Sequence, residues 1–583
     1  MYIRKLSRTN KDGTRTTYVQ LAHNYRPEGS KAARAHVLHS FGRIEDVDLD
    51  GLRRLARSIG RFLGPEDALR IEAQLTDEPG LRFLGARPMG GAWALAQLWD
   101  QLNLGPVLER LAKHRHFRTD IHGAILAMVA NRCLDPKSKH AIPEWLDQDV
   151  ALPGVRASAI TDDLLYRAMD FAIAHDEEIQ EAVFHEVAHL LNLEVDLLFY
   201  DTTSLSIHAD LTDEDRAELQ RLWDAHDAGE AEEPASPRPQ VVNDPPLRER
   251  GHAKNKRTDL PQIVIGMAVT KEGIPVRCWT FPGNTADVTT VQKIKKDLVG
   301  WKLGRVVMAL DRGMVSEENL VALQQAGGHY IVGEKLRSAK AGPQEALARA
   351  GRYSKIRGNL LVKEVTVGEG EKRQRYVVVK NPNQARLDAA TRARTLKRLE
   401  SELAGLRRND QDGAEHTKAV CRLVAHRTLG RFVKQDKQGN LSIDRAKVHA
   451  DEKLDGKYLL RSSDDTLTAE DIALGYKQLL EVERAWRDMK TTLEIAPMYH
   501  RLADRIRAHV LLCMLALLLV RVAERRTGQT WNRIRTELDR IHEGRFRGKA
   551  GEVVRTSELT SAQLSLLNQL GIAKPPAFIS LKS

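Results

Sequence analysis

Tyr476, Glu483 and Lys490 stand seven residues apart in a stretch, Leu474 to Glu494, that carries no Pro or Gly after Gly475. Seven residues is close to two turns at about 3.6 residues per turn, so a phenol, a carboxylate and an ammonium share one helical stripe. Leu479, Leu480, Val482, Ala485, Trp486 and Met489 recur at three- and four-residue steps, the spacing of a buried helical face. The stripe suits one metal-binding carboxylate flanked by two groups for a phosphate backbone, and it equally suits a solvated charged face. Upstream, two apolar runs each finish in an aspartate: Leu197 to Tyr200 before Asp201, and Val306 to Leu310 before Asp311. Carboxylates at the carboxyl ends of strands lie where α/β sheets place their sites. Three carboxylates without a Cys or His cluster around them call for hard cations, Mg²⁺ or Mn²⁺. Two such ions about 4 Å apart can activate a nucleophile and stabilise the leaving oxygen of a phosphodiester.

Elements able to hold these residues follow from the pattern. Residues 1–51 read as a basic β-meander, with alternating strands and turn chemistry at Asn10–Thr14. Residues 52–192 read as mostly helical and form a candidate DNA-binding region. Residues 193–336 alternate strand, hairpin, helix, strand, helix and strand, interrupted by a Pro-rich acidic stretch (210–246) expected as a flexible loop. Residues 337–454 depart from that order and read as an inserted β-rich subdomain that includes a charged helix near 384–407. The order resumes over 455–525, and 526–583 reads as a basic tail that is helical in part.

Composition narrows the partner. The 583 residues are 42% hydrophobic and 29% charged, with a formal net charge of +11. The sequence pI is about 9.3, which favours a polyanion, nucleic acid first. Residues 1–43 carry nine Lys/Arg against two acids, and residues 521–549 nine against four. Four dispersed cysteines exclude a disulfide framework and zinc–thiolate sites. The N-terminus has no apolar segment of signal-peptide type, and the apolar run Val510–Val520 is shorter than a membrane span. A cytoplasmic protein without a membrane partner is expected.

One competing motif occurs. His185-Glu186-Val187-Ala188-His189 is a literal H-E-x-x-H, which in a zinc protease supplies two imidazole ligands and a general base. The third-ligand continuation is absent after His189, so the bland reading is an amphipathic helix.

Taken together, these motifs resemble the bacterial insertion-sequence transposases of the DDE class, nearly end to end. The closer likeness is to the group with a β-rich insertion before the catalytic glutamate and a Tyr-x₂-Arg-x₃-Glu-x₆-Lys signature. Tyr200–Ser204 look like the first-aspartate motif and Ala309–Met314 like the second, while Asp259–Val276 and Phe281–Val291 look like the family's hairpin and following helix. Tyr476, Glu483 and Lys490 match the signature spacing, but its arginine position is Leu479. The resemblance implies an RNase H-like α/β core, a mixed sheet flanked by helices, in which Asp201, Asp311 and Glu483 hold two Mg²⁺ (or Mn²⁺). It implies a DNA-cutting enzyme that transfers freed 3′-hydroxyl ends to target DNA, active as a homodimer. Tyr476 and Lys490 would then hold end DNA, with Arg487 among the cations that could replace the missing arginine. Arg312, and the loop residues Lys254, Lys256 and Arg257, are further candidates for phosphate contact. Ion pairing for Arg312 and solvation for the loop are their ordinary alternatives. Thr202 and Thr203 are expected to fix strand-end geometry. A related metal-dependent nuclease, a lapsed DNA-binding descendant, and remotely a zinc protease through His185 and His189 are the competing functions.

Overall fold

Three strands at the N-terminus make the first sheet of a computed structural model of the chain. The structure describes all residues except 27–33, 76–80, 114–118, 192–196, 209–210, 237–245, 253–256, 258, 302–305, 339, 358, 409–412, 549–550 and 583. Strands β1 (Tyr2–Thr9), β2 (Arg15–Tyr25) and β3 (Arg34–Arg43) pair antiparallel with β2 in the centre. Asn10–Thr14 close the first hairpin: Gly13 takes a positive φ, and the Thr14 amide donates to Asp12 Oδ1 at 3.0 Å. The helices Leu49–Leu63 and Pro65–Leu75 then pack through Gly60, whose missing side chain admits Ala68 and Ile71. Arg57 donates to Glu72 across that pair at 2.8 Å. The region expected to be helical from 52 also contains a strand, β4 (Arg82–Pro88).

The chain divides into two compact units. One comprises residues 1–90, 537–564 and 574–583; the other comprises 91–536 and 565–573. The larger unit is built on a nine-stranded sheet. Its strands are β5 (Leu197–Ser206), β6 (Gln262–Thr270), β7 (Pro275–Pro282), β8 (Val307–Leu310), β9 (His329–Glu334), β10 (Ser354–Lys355), β11 (Leu361–Val367), β12 (Gln374–Lys380) and, after a small hairpin of β13 (Val433–Gln435) and β14 (Leu441–Ile443), β15 (Lys457–Ser462). The order is β10-β11-β12-β15-β9-β8-β5-β6-β7. β5, β6 and β7 pair antiparallel, whereas β5, β8 and β9 run parallel. Three antiparallel strands continued by two parallel ones form the RNase H-like core expected from the sequence. Every residue of β6 and β8 is buried, as strands covered on both faces must be. The helices Asp287–Gly300 and Glu317–Gln324 complete one core, with Val291, Ile294, Leu298, Leu320 and Leu323 against Tyr200, Val264, Trp279 and Met308. The helix Ala503–Thr527 lies among helices Ile121–Leu134 and Asp162–Ala174. It is the one helix among the described residues long and apolar enough to cross a membrane, and 89% of its apolar window is buried inside the fold.

Several expectations are corrected. The acidic stretch is not simply a loop: Asp213–Asp227 is a helix with a Thr212 capping box. The insertion is only partly β-rich. β10, β11 and β12 extend the main sheet, and the remainder is mainly helical: Pro382–Arg408, Gly413–Ala425 and Arg445–Glu452 enclose a separate core of Leu399, Leu403, Leu423, Phe432 and Val448. Ala, Leu and Arg dominate the first of these helices, and that composition favours helix over strand. The expected helix from Leu474 to Glu494 is two helices, Ala469–Lys477 and Leu480–Thr491. Between them Gln478, Leu479 and Glu481 donate to carbonyls three residues back, the tight turn that separates the pieces. The C-terminal segment is not a tail. In the smaller unit, β16 (His542–Gly548), β17 (Gly551–Thr556) and β18 (Phe578–Lys582) join β4 in the order β18-β17-β16-β4.

Candidate active site

Sheet register sets the first two acids. Tyr200 and Leu310 are partners in the parallel β5–β8 pair, and each is followed by an aspartate. Asp311 leaves β8 at its carboxyl end and precedes a short 3₁₀ turn, Arg312–Met314. Asp201, expected at a strand end, is instead internal to β5, because the strand continues to Ser206 against β6. It passes the carboxyl end of β8 there, so both aspartates reach the same edge of the core. Alternation along β5 sends Tyr200 and Thr202 to the opposite face. There the Tyr200 hydroxyl donates to Thr290 at 3.0 Å and the Thr202 hydroxyl to Asp287 at 2.5 Å.

Glu483 comes from the helix Leu480–Thr491. That helix buries Val482, Ala485, Trp486 and Met489 and packs on β5 and β6, leaving Glu483 exposed. Asp201, Asp311 and Glu483 line one cavity of about 380 Å³, together with Leu360, Asn381, Tyr458, Tyr476, Lys477, Leu479, Leu480 and Val482. The Tyr476 hydroxyl donates to Asp311 Oδ1 at 3.3 Å, and its ring stacks on Tyr458 at 6.3 Å between centroids. Burial first, and the Asp311 charge next, raise the Tyr476 pKa well above that of an ordinary phenol, so it is a neutral donor. Gly333 makes this placement possible, since a Cβ there would collide with the Tyr476 hydroxyl.

The cavity's acidic lining consists only of carboxylates, and Asn381 and the two phenols add neutral oxygen donors. This is the ligand chemistry of hard divalent cations. Among the described residues no three His, Cys, Asp or Glu side chains converge closely enough to cage an ion.

The other sequence candidates are dispersed. Lys490 donates to Thr203 Oγ1 at 2.6 Å rather than facing outward alone. Arg487 is exposed on the same helix. Arg312 is exposed beside Asp311, with no ion-pair partner among the described residues. Arg257 pairs with Asp259 at 2.7 Å; Lys254 and Lys256 lie outside the described residues. His185 and His189 are exposed on the helix Asp176–Leu190; His185 lies 4.0 Å from Glu181, and Glu186 accepts from Asn103 at 3.1 Å. Sequence reasoning missed Leu360, Asn381, Tyr458 and Gly333. Leu360 and Asn381 flank β11 and β12, Tyr458 lies on β15 and Gly333 on β9, and no local spacing marks them.

Residues 246–519 match the Transposase DDE domain, which defines the class as DDE transposases. Residues 3–69 match the N-terminal domain of IS1634 family transposases. The chain belongs to the insertion-sequence transposases of the DDE class, enzymes that act on DNA and whose DDE domains depend on a divalent metal. The DDE match begins downstream of Asp201. Among solved structures the chain is similar to the piggyBac transposase of a synaptic complex with hairpin DNA, at 11% identity and a TM-score of 0.33, covering 78% of this chain and 82% of that one. No curated protein matches. The protease reading of His185 and His189 gives way to this assignment.

Proposed function

We propose that Asp201, Asp311 and Glu483 are the metal-binding triad of this transposase and hold two Mg²⁺ or Mn²⁺ ions. The observation that carries the reading is the single cavity lined by all three acids, which come from segments far apart in the chain. When bound, the ions would supply Lewis-acid activation of a water and of the leaving oxygen. The chain's own residues do the rest. The neutral Tyr476 phenol, donating to Asp311, orients that carboxylate toward the cavity. Exposed Arg312 and Arg487 neutralise the backbone on either side of the acids, and the segment holding Lys254, Lys256 and Arg257 extends that contact. Water attack at an insertion-sequence end frees a 3′-hydroxyl, which then attacks a second phosphodiester in target DNA. Pairing two ends calls for a homodimer. The class fits a bacterial cytoplasmic enzyme that joins the nucleoid when bound to DNA.

Membership in the group with the Tyr-Arg-Glu-Lys signature rests on Tyr476, Glu483 and Lys490. Leu479 lines the cavity where the arginine would stand, so Arg487 or Lys477 takes over its charge. The test is incubation of labelled DNA from the gene's own flanks with protein and Mg²⁺ or Mn²⁺. Cuts at fixed positions, abolished by a chelator, are expected. Binding without any cutting would point to a lapsed descendant, and random cutting to a nuclease.

A further inference from the structure

Away from the acids, the larger unit gathers four basic side chains from four segments: the end of the helix Ile121–Leu134, the turn Lys139–Ala141, the stretch after the Glu483 helix, and the helix Ala503–Thr527. Arg132 is 5% exposed, Lys139 4% and His509 5%, while His500 is half-buried. The rings of His500 and His509 lie 5.3 Å apart between centroids. Arg132 donates only to neutral oxygens: the Glu494 carbonyl at 3.2 Å, Asn131 Oδ1 at 3.4 Å and the Lys137 carbonyl. Its Nε and the Nδ1 of His509 are buried without a hydrogen-bond partner among the described residues. Lys139 has neither a hydrogen bond nor an ion pair there. Nearby carboxylates are engaged elsewhere: Asp135 and Asp149 by Lys137, Asp162 by His140, and Asp170 by Arg505. Burial first, and then the neighbouring positive charges, lower the pKa values of Lys139, His500 and His509. Buried charges are ordinarily paired, and no side chain among the described residues supplies the pair.

We propose that Lys139, Arg132 and His500 form a binding site for a phosphate group, entered beside His500. That histidine joins the cluster to the surface, between Tyr499, which is 76% exposed, and exposed Arg501. A phosphate accepts from an ammonium and a guanidinium together, and its charge holds Lys139 protonated. A chain of net charge +11 that acts on DNA meets such groups in two forms, free phosphate and the DNA backbone. None of these residues lines the cavity of Asp201, Asp311 and Glu483, so the site is independent of the triad assignment.

The test follows the melting temperature of the full chain near pH 7 as millimolar inorganic phosphate replaces an inert salt at constant ionic strength. Wild type runs beside Lys139→Met, His500→Gln and a control, Lys137→Met, whose lysine has its own two carboxylates. A ligand that binds only the folded chain raises its melting temperature. Wild type and Lys137→Met are expected to melt higher with phosphate, Lys139→Met to show no rise, and His500→Gln a smaller one. Because His500→Gln leaves the buried side chains in place, it reads the site even if Lys139→Met does not fold. Affinity for flank DNA across a salt series separates the two sources. A loss in Lys139→Met with a salt slope lower by about one assigns a backbone phosphate, and unchanged binding assigns free phosphate. No rise in wild type overturns the proposal. So does a rise that persists undiminished in both Lys139→Met and His500→Gln, or one that Lys137→Met abolishes equally.

Discussion

Tyr200 and Leu310 face one another across the parallel β5–β8 pair, and the residue after each is an aspartate. A one-residue slip of that register would send one carboxylate to the opposite face. The buried runs Leu198–Tyr200 and Val307–Leu310 specify it, so the site's geometry is inherited from core packing rather than from local loop structure.

The same dependence applies to Gly333 on β9. A Cβ at this position would meet the Tyr476 hydroxyl. Gly333→Ala should cost about 1–3 kcal/mol through overpacking and displace the phenol from Asp311. Adding Tyr476→Phe should recover most of the stability loss without restoring the hydrogen bond. Thermal melts of the two singles and the double check this; no recovery in the double would place the strain elsewhere.

Asp213 should anchor the acidic helix Asp213–Asp227. It accepts from Arg248 Nε at 2.6 Å and from the amides of Leu247 and Arg248 at 2.8 Å, and Arg248 is 1% exposed. Asp213→Ala leaves a buried guanidinium without its partner, so a loss of about 3–5 kcal/mol is expected. Denaturant unfolding measures it, and a loss below about 1 kcal/mol would mean that the pair behaves as a surface ion pair.

Lys139 gives the fold a pH slope. It is 4% exposed, and burial first, then the nearby Arg132 charge, lower its pKa from 10.5 to about 7. Because the folded value is depressed, its contribution to stability is fully present above about 10.5 and is lost as the pH falls through about 7. Lys139→Met should flatten that slope and stabilise the protein at pH 7 by about 2–4 kcal/mol. Melting curves from pH 7 to 10 test this; a parallel slope in the variant would assign the pH dependence to another group.

Purified protein should carry no stoichiometric zinc at His185 and His189, and substituting both should leave DNA cutting within about twofold of wild type. Elemental analysis decides the first point and the flank-DNA assay the second. One zinc per chain, lost on His185→Ala, would revive the metalloprotease chemistry.

The sequence made the core legible because hydrophobic runs and their terminal acids are local signals. The succession of strand, hairpin, helix, strand, helix and strand followed from them, as did the segments that carry Asp201, Asp311 and Glu483, while the RNase H-like core was implied by the family resemblance. What escaped was non-local. That β5 continues past Asp201 depends on pairing with β6, and that β10–β12 join the main sheet depends on β15 being available to β12. The break between Lys477 and Leu480 carries no Pro or Gly to announce it; backbone bonds to carbonyls three residues back create it. The C-terminal sheet was unreadable because its partner β4 lies more than 450 residues earlier. Lys490 read as a cation for end DNA; its bond to Thr203 escaped because nothing near it in sequence names that partner.

The most direct test of the triad places Asp201→Asn, Asp311→Asn and Glu483→Gln beside wild type on labelled flank DNA with Mg²⁺ or Mn²⁺, with DNA binding measured in parallel. Each variant should bind DNA at least as well as wild type, because a negative charge has been removed from the cavity. Each should lose cutting by about a thousandfold or more, a barrier increase of roughly 4 kcal/mol. Site-specific cutting that survives Glu483→Gln would contradict the assignment of the third ligand to this helix.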